Sequence, residues 1–361
     1  MGNIPALTER LGIRHPIIQA PMAGVSTATL AAAVSNAGGL GSLGVGAMSV
    51  HEAANLIRET KELTDRPFNV NLFVNARARS QPAKESRWLD TLAPEFRRFG
   101  AEPPISLREI YETSLDNDAM LAMLLKERPA VVSFHFGLPT EDWITALRRA
   151  DIVTMATATN LDEALQVERA GIDAVVAQGY EAGGHRGTFD PTQDEEIGTL
   201  ALVRLLASRI AIPVIAAGGI MDGNGVSAAF KLGAAGAQLG TAFILCPESS
   251  ASEAYRNILK SDRALHTAVT SNISGRPARG IVNRFHEFTG EVPDYPIAYD
   301  AGKALHRAAA AQGNHEYAAH WAGQAAYLAR ELPAAEMLEK IVTEWHESEF
   351  QRDDEVALLP R

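Results

Sequence analysis

Apolar residues along this chain fall into eight short, nearly continuous runs, separated by stretches with helical periodicity. The runs are PIIQA (16–20), LGSLG (40–44), FNVNLFV (68–74), VVSFHF (131–136), IVTMATA (152–158), AVVAQG (174–179), PVIAAGG (213–219) and AQLGTAF (237–243). A parallel strand covered on both faces reads as an unbroken apolar run, because neither side of its pleat meets water. The segments between carry helix punctuation, with a capping side chain before and glycine after. Thr27–Asn36 stops at Gly38-Gly39, Ser49 caps Val50–Leu63, and Thr140 caps Glu141–Arg149. Asn160 opens LDEALQVERA, which ends at Gly171, and Asp222 opens a helix ending at Gly233. Strand then helix, repeated eight times, predicts an α/β fold of the (β/α)₈ TIM-barrel type.

Two regions break the rhythm. Residues 75–120 form an insertion after the third run, rich in charge and proline, and residues 247–361 follow the eighth run. The tail has Ala-rich stretches near 301–312, 315–331 and 334–347 that read as helices. The expected division is a barrel over 1–246, carrying the insertion, and a mainly helical extension over 247–361 that contributes to the substrate pocket.

Composition removes several function classes. The formal charge of −11 argues against nucleic acid or an anionic membrane as main partner, since both need a basic surface. Cys246 is the single cysteine, so no intramolecular disulfide forms, and a lone thiol reads as inert core. The opening MGNIPALTERLGIRHPIIQ lacks a basic region followed by an apolar one, and no apolar stretch is long enough to span a bilayer. The expectation is a cytoplasmic protein, monomer or homodimer. There is no GxxxxGK[ST], no HExxH and no cysteine pair, so neither a triphosphate loop nor a zinc site is expected. Gly39-x-Gly41-x-x-Gly44 fits the dinucleotide pattern, but it lies inside the second apolar run rather than in a turn after a strand.

In a (β/α)₈ barrel the chemistry sits where the strands end. The closing residues here include Pro21-Met22-Ala23-Gly24, Asn69, Asn71, His135, Thr157, Thr159, Gln178, Gly218-Gly219 and Gly240-Thr241. Most are polar or glycine, as a mouth that hydrogen-bonds a planar polar ligand requires. Glycines after the seventh and eighth strands point to a phosphate cradle; the alternative is plain turn glycines. His185 sits in QGYEAGGHRG directly after the sixth run, in a tight loop able to present imidazole to the mouth, where it can exchange a proton or bind an anion. His135 closes the fourth run, and alternation puts Phe134 and Phe136 on the opposite face; a satisfied core histidine is the competing reading. Tyr295, Tyr299 and Lys303 share one face if helical, with Pro296 limiting the helix start, and an exposed snorkelling face is the bland reading.

These residues also carry a resemblance. RHPIIQAPMAG, FNVNLF, VSFHFG, ATATNLDEA, GIDAVVAQGYEAGGHRG, PVIAAGGI, GAQLGTAF, SGRPARGIVNRF and YPIAYDAGKAL…WAGQ run in order from about residue 14 to 325. The chain resembles the nitronate monooxygenase family (formerly 2-nitropropane dioxygenases), and its terminal blocks resemble the class I bacterial-type members. The resemblance implies a barrel with a smaller helical domain and non-covalent FMN. It implies that Pro21, Met22, Ala23, Asn71, Gln178 and Gly183 line the flavin. Gly218, Gly219, Gln238, Leu239, Gly240 and Thr241 would hold its phosphate end or ring edge. His185 matches the family's active-site histidine, and His135, Tyr111, Tyr295, Tyr299 and Lys303 match residues around the nitronate pocket. The acidic stretch 190–196 and the tail beyond 330 match no motif of the family and are expected to stay clear of the chemistry.

The activity so implied is FMN-dependent oxidation of alkyl nitronates by O₂, with propionate 3-nitronate as substrate and nitrite and a carbonyl compound as products, a detoxification. His185 would hydrogen-bond the nitro oxygens and take the α-proton of a neutral nitroalkane. Three other readings stand beside it: an FMN-dependent NAD(P)H:quinone reductase, an FMN-dependent enoyl-thioester reductase, and a non-catalytic flavin-binding module.

Overall fold

Each of the eight apolar runs carries a strand of a parallel sheet, the last strand starting one residue ahead of its run. The computed structural model describes residues 4–357, with side chains through residue 349. The chain begins with α1 (Ile4–Leu11), β1 (Ile17–Gln19), α2 (Ala28–Asn36), β2 (Gly41–Gly44), α3 (Val50–Leu63) and β3 (Phe68–Phe73). It continues through α4 (Pro82–Arg98), α5 (Asp118–Glu127), β4 (Val131–His135), α6 (Glu141–Arg149), β5 (Val153–Ala158), α7 (Leu161–Arg169), β6 (Ala174–Gln178) and β7 (Gly184–His185). Then come α8 (Thr199–Ala207), β8 (Val214–Ala217), α9 (Gly223–Lys231) and β9 (Gly236–Leu239). The sheet order is β1-β9-β8-β6-β5-β4-β3-β2, and a parallel bridge between Ile18 and Leu40 closes it into a barrel. The protein is a (β/α)₈ barrel.

Local chemistry accounts for most helix starts. Thr27 accepts from Leu30 N, Asn160 from Glu163 N and Asp222 from Gly225 N. Ser49 and Glu52 form a reciprocal capping box. Thr140 stands at its helix start but makes no side-chain cap, contrary to expectation. The glycines of the dinucleotide-like pattern serve packing: at Gly41 a Cβ would run into the backbone of Ala31, so α2 can lie close on β2. Leu7 and Leu11 of α1 pack with Ile18, Val131, Val153, Met155 and Ile215 inside the barrel's N-terminal end, which leaves the opposite end as the mouth.

After the barrel come α10 (Glu253–Leu259), β10 (Thr267–Thr270), β11 (Ala278–Ile281), α11 (Ile297–Ala310) and α12 (Ala334–Ala357). Two of the three expected tail helices form. The stretch 315–331 does not: apart from a short 3₁₀ turn at Ala326–Leu328 it is irregular, and Trp321 bridges to Gly280. Its small residues serve close backbone approach, since a Cβ on Gly183 would press on Ala322 and Gly323. The insertion supplies Trp88, Leu92 and Phe96 of α4 to a second core shared with Phe285, Leu305 and Tyr317 of the tail. α12, beyond residue 330, packs on α9 and α2, away from the mouth.

Beside the barrel stands a small antiparallel sheet, β10-β11-β7, in which Ala278 pairs with His185 and Arg279 with Gly184. The loop after β6 is thereby clipped to the tail. Among the described residues no helix is long and apolar enough to cross a membrane.

Candidate active site

The strand ends open on a cavity of about 680 Å³, within the usual range for small-molecule sites. Its floor comes from the barrel: Pro21, Met22 and Ala23 after β1, Asn71 of β3, His135 of β4, Gln178 of β6, Gly218 and Gly219 after β8, Gln238 of β9, and Gly240 and Thr241 after it. Gly183 and His185 enter from the loop after β6, Tyr111 from the insertion, and Tyr295, Tyr299 and Lys303 from the tail. Of the residues singled out in the sequence, Asn69, Thr159 and Leu239 do not line it: Asn69 donates to Ser42 Oγ and Thr159 to the Glu163 carboxylate. Leu239 is buried in the outer core because alternation along β9 turns its neighbour Gln238 to the cavity instead. Its carbonyl does take a hydrogen bond from Ala20 N, 2.8 Å.

His185 is held from all sides. Its ring lies 5.3 Å from that of Tyr295, 6.2 Å from Tyr299 and 5.2 Å from Trp321. Its carbonyl accepts from Gln178 Nε2 (3.0 Å) and from His135 Nε2 (3.2 Å). Gln178 Oε1 accepts in turn from Gly187 N, 2.7 Å. His135 therefore braces the loop, with its other nitrogen 3.0 Å from Thr157 Oγ1. Burial pushes both histidines down to about 3, and for His185 the neighbouring His135 and Arg276 push the same way, so at neutral pH both rings are uncharged.

Phe136 departs from simple alternation. It lies beyond the end of β4 at φ +77°, which turns its ring back to within 4.5 Å of the His135 ring and 5.8 Å of His185. The Arg276 guanidinium lies over the Phe136 ring, 4.1 Å from its centroid. Arg186, next to His185, is fully buried and paired with Asp194 of the acidic stretch, so that stretch does bear on the site.

Tyr295 precedes α11 rather than lying on it, since Pro296 occupies the N-cap position, yet its ring still meets His185. Lys303 Nζ sits over the rings of Tyr111 (4.9 Å) and Tyr299 (5.1 Å). Burial pushes the hydroxyls of Tyr111 and Tyr299 up to about 12, and raises that of Tyr295 further, so all three remain protonated donors. Among the described residues lining the cavity there is one ammonium, Lys303, and no carboxylate. An anion of modest size is the complementary guest.

The opposite end is made of backbone. Gly218 and Gly219 adopt φ +121° and +71°, conformations side chains avoid. The N–H groups of Gly219 and Gly240 meet no acceptor among the described residues. Thr241 Oγ1 accepts from Gly323 N, 3.0 Å, which ties the tail to this end. Glycine backbone with free donors fits a phosphate, and the apolar walls of Met22, Val176 and Ala217 fit a flat ring system.

Sequence reasoning missed Tyr255, Trp321, His320 and Ser274. Tyr255 and Trp321 both line the cavity, and the Tyr255 hydroxyl donates to Trp321 O. These residues come from irregular or distant parts of the tail, where no periodicity marks them. Ser274, under the His185 ring, has only its place in the SGRPARG block as a signal.

Comparison with known proteins agrees with this architecture. The nitronate monooxygenase family model matches residues 5–344. A nitronate monooxygenase of Pseudomonas aeruginosa is 58% identical over 343 residues, covering 93% of this chain and 98% of the relative. Among solved structures, a nitroalkane oxidase from Streptomyces ansochromogenes superimposes with a TM-score of 0.88 at 40% identity, covering 96% of this chain and 99% of that one. FabK from Thermotoga maritima superimposes with a TM-score of 0.74 at 31% identity, covering 97% and 98%. Matched almost end to end in sequence and in fold, this chain is an enzyme of the nitronate monooxygenase family.

Proposed function

We propose that this chain oxidises alkyl nitronates, propionate 3-nitronate among them, with FMN as cofactor and O₂ as oxidant, releasing nitrite and a carbonyl compound. The observation that carries the reading is the charge pattern of the cavity: a single ammonium among three protonated phenols, no carboxylate, and a neutral buried histidine at the centre. A nitronate is already an anion, so such a site needs to recognise charge more than to create it.

Gly218, Gly219, Gly240 and Thr241 would receive the FMN phosphate, and Pro21, Met22, Ala23, Asn71, Gln178 and Gly183 would flank the ring. When bound, FMN supplies the electron acceptor. Lys303 draws the anion to the mouth, and a carboxylate on the far end of the substrate ends beside it. Tyr295 and Tyr299 offer hydroxyls to the reacting end next to His185. Tyr111, Trp321 and the 315–331 segment cover the mouth and exclude water, which strengthens every polar contact inside.

The test is the visible spectrum of the purified, flavin-loaded protein on anaerobic mixing with propionate 3-nitronate, followed by nitrite assay after admitting air. Loss of the oxidised-flavin absorbance followed by nitrite release supports the reading. Bleaching by NADH but not by nitronate would replace it with an NAD(P)H-dependent reductase.

A further inference from the structure

His185 touches two kinds of group. One ring nitrogen, Nε2, lies 2.9 Å from Ser274 Oγ. The other, Nδ1, has no partner and is not among the buried unsatisfied atoms of the described residues, so it opens on the cavity that His185 lines. The direction of the Ser274 contact follows from what Ser274 does elsewhere. Its hydroxyl donates to the Arg276 carbonyl, 3.2 Å, and a carbonyl can only accept. Arg276 N also donates to Ser274 Oγ, 3.4 Å, so with its hydrogen on the Arg276 carbonyl the oxygen acts as an acceptor, and this assigns the ring hydrogen of His185 to Nε2. Neutral imidazole has one hydrogen, so Nδ1 is left as a bare lone pair facing the substrate.

We infer that Ser274 is a positioning residue that fixes His185 as the Nε2–H tautomer and aims its Nδ1 lone pair into the cavity. The assignment deepens the proposed function and rests on it for the chemistry, though not for the tautomer. The fold supplies the placement. β11 pairs with β7, which brings the turn between β10 and β11 under the histidine, and Ser274 in that turn is fully buried. Gly275, at φ +90°, lets the turn pass against the backbone of Pro293 and Asp294, where a Cβ would meet Pro293 O and Tyr295 N. No titratable carboxylate touches the ring. The charged or titratable groups facing it are His135, Arg276, Tyr295 and Tyr299.

The consequence is a division of labour. Towards the cavity neutral His185 is an acceptor only, so it takes a proton there rather than offering a hydrogen bond to nitro oxygens. With a neutral nitroalkane, the Nδ1 lone pair takes the α-proton, the C–H electron pair becomes the nitronate's, and His185 becomes a cation. That proton has no exit through Ser274, whose chain of hydrogen bonds ends on the Arg276 carbonyl, so it returns to the cavity side. With a preformed nitronate no such transfer is needed, and Tyr295, Tyr299 and Lys303 supply the donors.

The test reads the ring directly. In protein labelled with ¹⁵N-histidine, long-range ¹H–¹⁵N correlation without substrate should show His185 Nε2 as pyrrole-type and Nδ1 as pyridine-type. Nδ1 carrying the hydrogen would overturn the assignment, whatever the substrate proves to be. Ser274→Ala should mix the tautomers and lower kcat on a neutral nitroalkane about tenfold or more, within the range a general base contributes. Turnover of the matching nitronate should stay within about threefold, and Ser274→Thr, which keeps the hydroxyl, should restore the pyrrole-type Nε2. Equal losses on both substrates with an unchanged ring would also overturn it. Absence of any nitronate oxidation would instead strike the proposed function and leave the tautomer standing.

Discussion

The Arg186 guanidinium grips the Asp194 carboxylate with two hydrogen bonds, Nε to Oδ2 at 2.7 Å and Nη2 to Oδ1 at 3.1 Å, inside the loop that carries His185. The same guanidinium donates to the carbonyls of Gln178 and Gly179 at the end of β6. One fully buried cation thus ties the strand end, the histidine loop and the acidic stretch together. Burial alone would push the Asp194 carboxyl up, but the hydrogen bond and charge of Arg186 outweigh it and hold the group below its ordinary value. Removing one partner of a buried pair leaves an uncompensated charge, at a cost of about 3 kcal/mol. Asp194→Asn should therefore lower unfolding free energy by about that much in urea titrations at pH 7. A change near zero would show that the Arg186 charge is balanced elsewhere.

Among the described residues lining the cavity, Lys303 is the one ammonium. Lys303→Met keeps much of the stem over Tyr111 and Tyr299 and removes the charge. KM for propionate 3-nitronate should rise about tenfold, equivalent to about 1.4 kcal/mol. KM for an uncharged-tail nitronate such as ethyl nitronate should rise less, because only the common nitronate charge is affected. Steady-state kinetics on both substrates checks the pattern, and equal rises would place Lys303 at the reacting end instead.

Gly183 lies where the histidine loop passes the tail segment, and an added Cβ would stand 2.5 Å from Gly323 N and 2.6 Å from the Ala322 carbonyl carbon. Both obstacles are backbone and cannot swing aside. Gly183→Ala should cost about 1–3 kcal/mol through overpacking, and should weaken flavin retention by pushing the covering segment off Thr241. Thermal unfolding with and without added FMN measures both effects. An unaltered melting temperature would mean the two backbones separate freely.

His135 and His185 share a pH signature. Each is protonated in the unfolded chain below about 6.5 but resists protonation in the folded protein down to about 3. Between those values the unfolded state binds more protons, so stability is full above about pH 6.5 and falls as pH drops toward 3. Each histidine contributes up to about 1.4 kcal/mol per pH unit in that window. His135→Gln should make stability less dependent on pH between 6 and 4, as read from urea midpoints across that range. An unchanged slope would show that His135 is already charged in the folded protein.

How much of this could be read beforehand divides along physical lines. The eight strands were readable because double-sided burial writes itself as apolar runs, and the floor of the site followed because barrel chemistry gathers where strands end. Phe136 was misplaced because a left-handed residue breaks the two-residue alternation that the reading relied on. The 315–331 stretch looked helical because alanine favours helices, whereas here small residues were needed for backbone-to-backbone contact with Gly183. Asp194 left no local trace, and Ser274 none beyond its place in the SGRPARG block: their importance comes from partners whose positions only the folded chain reveals. The Tyr295–Lys303 face was half right, with Tyr299 and Lys303 on α11 and Tyr295 ahead of it.

The pairing of β7 with β11 also bears on how the protein comes into being. His185 and Ser274 are 89 residues apart, and the last barrel strand ends at Leu239, well before either strand of the tail's contribution. Chains fold from the N-terminus as they emerge during synthesis, so the barrel's hydrogen-bond ring can close while the histidine loop still lacks its strand partner. The candidate site is consequently the last part to mature. A nascent chain halted between Leu239 and Ala278 carries the barrel strands while the His185 loop still lacks its strand partner, so the cavity is completed in a late step that reports completion of the tail.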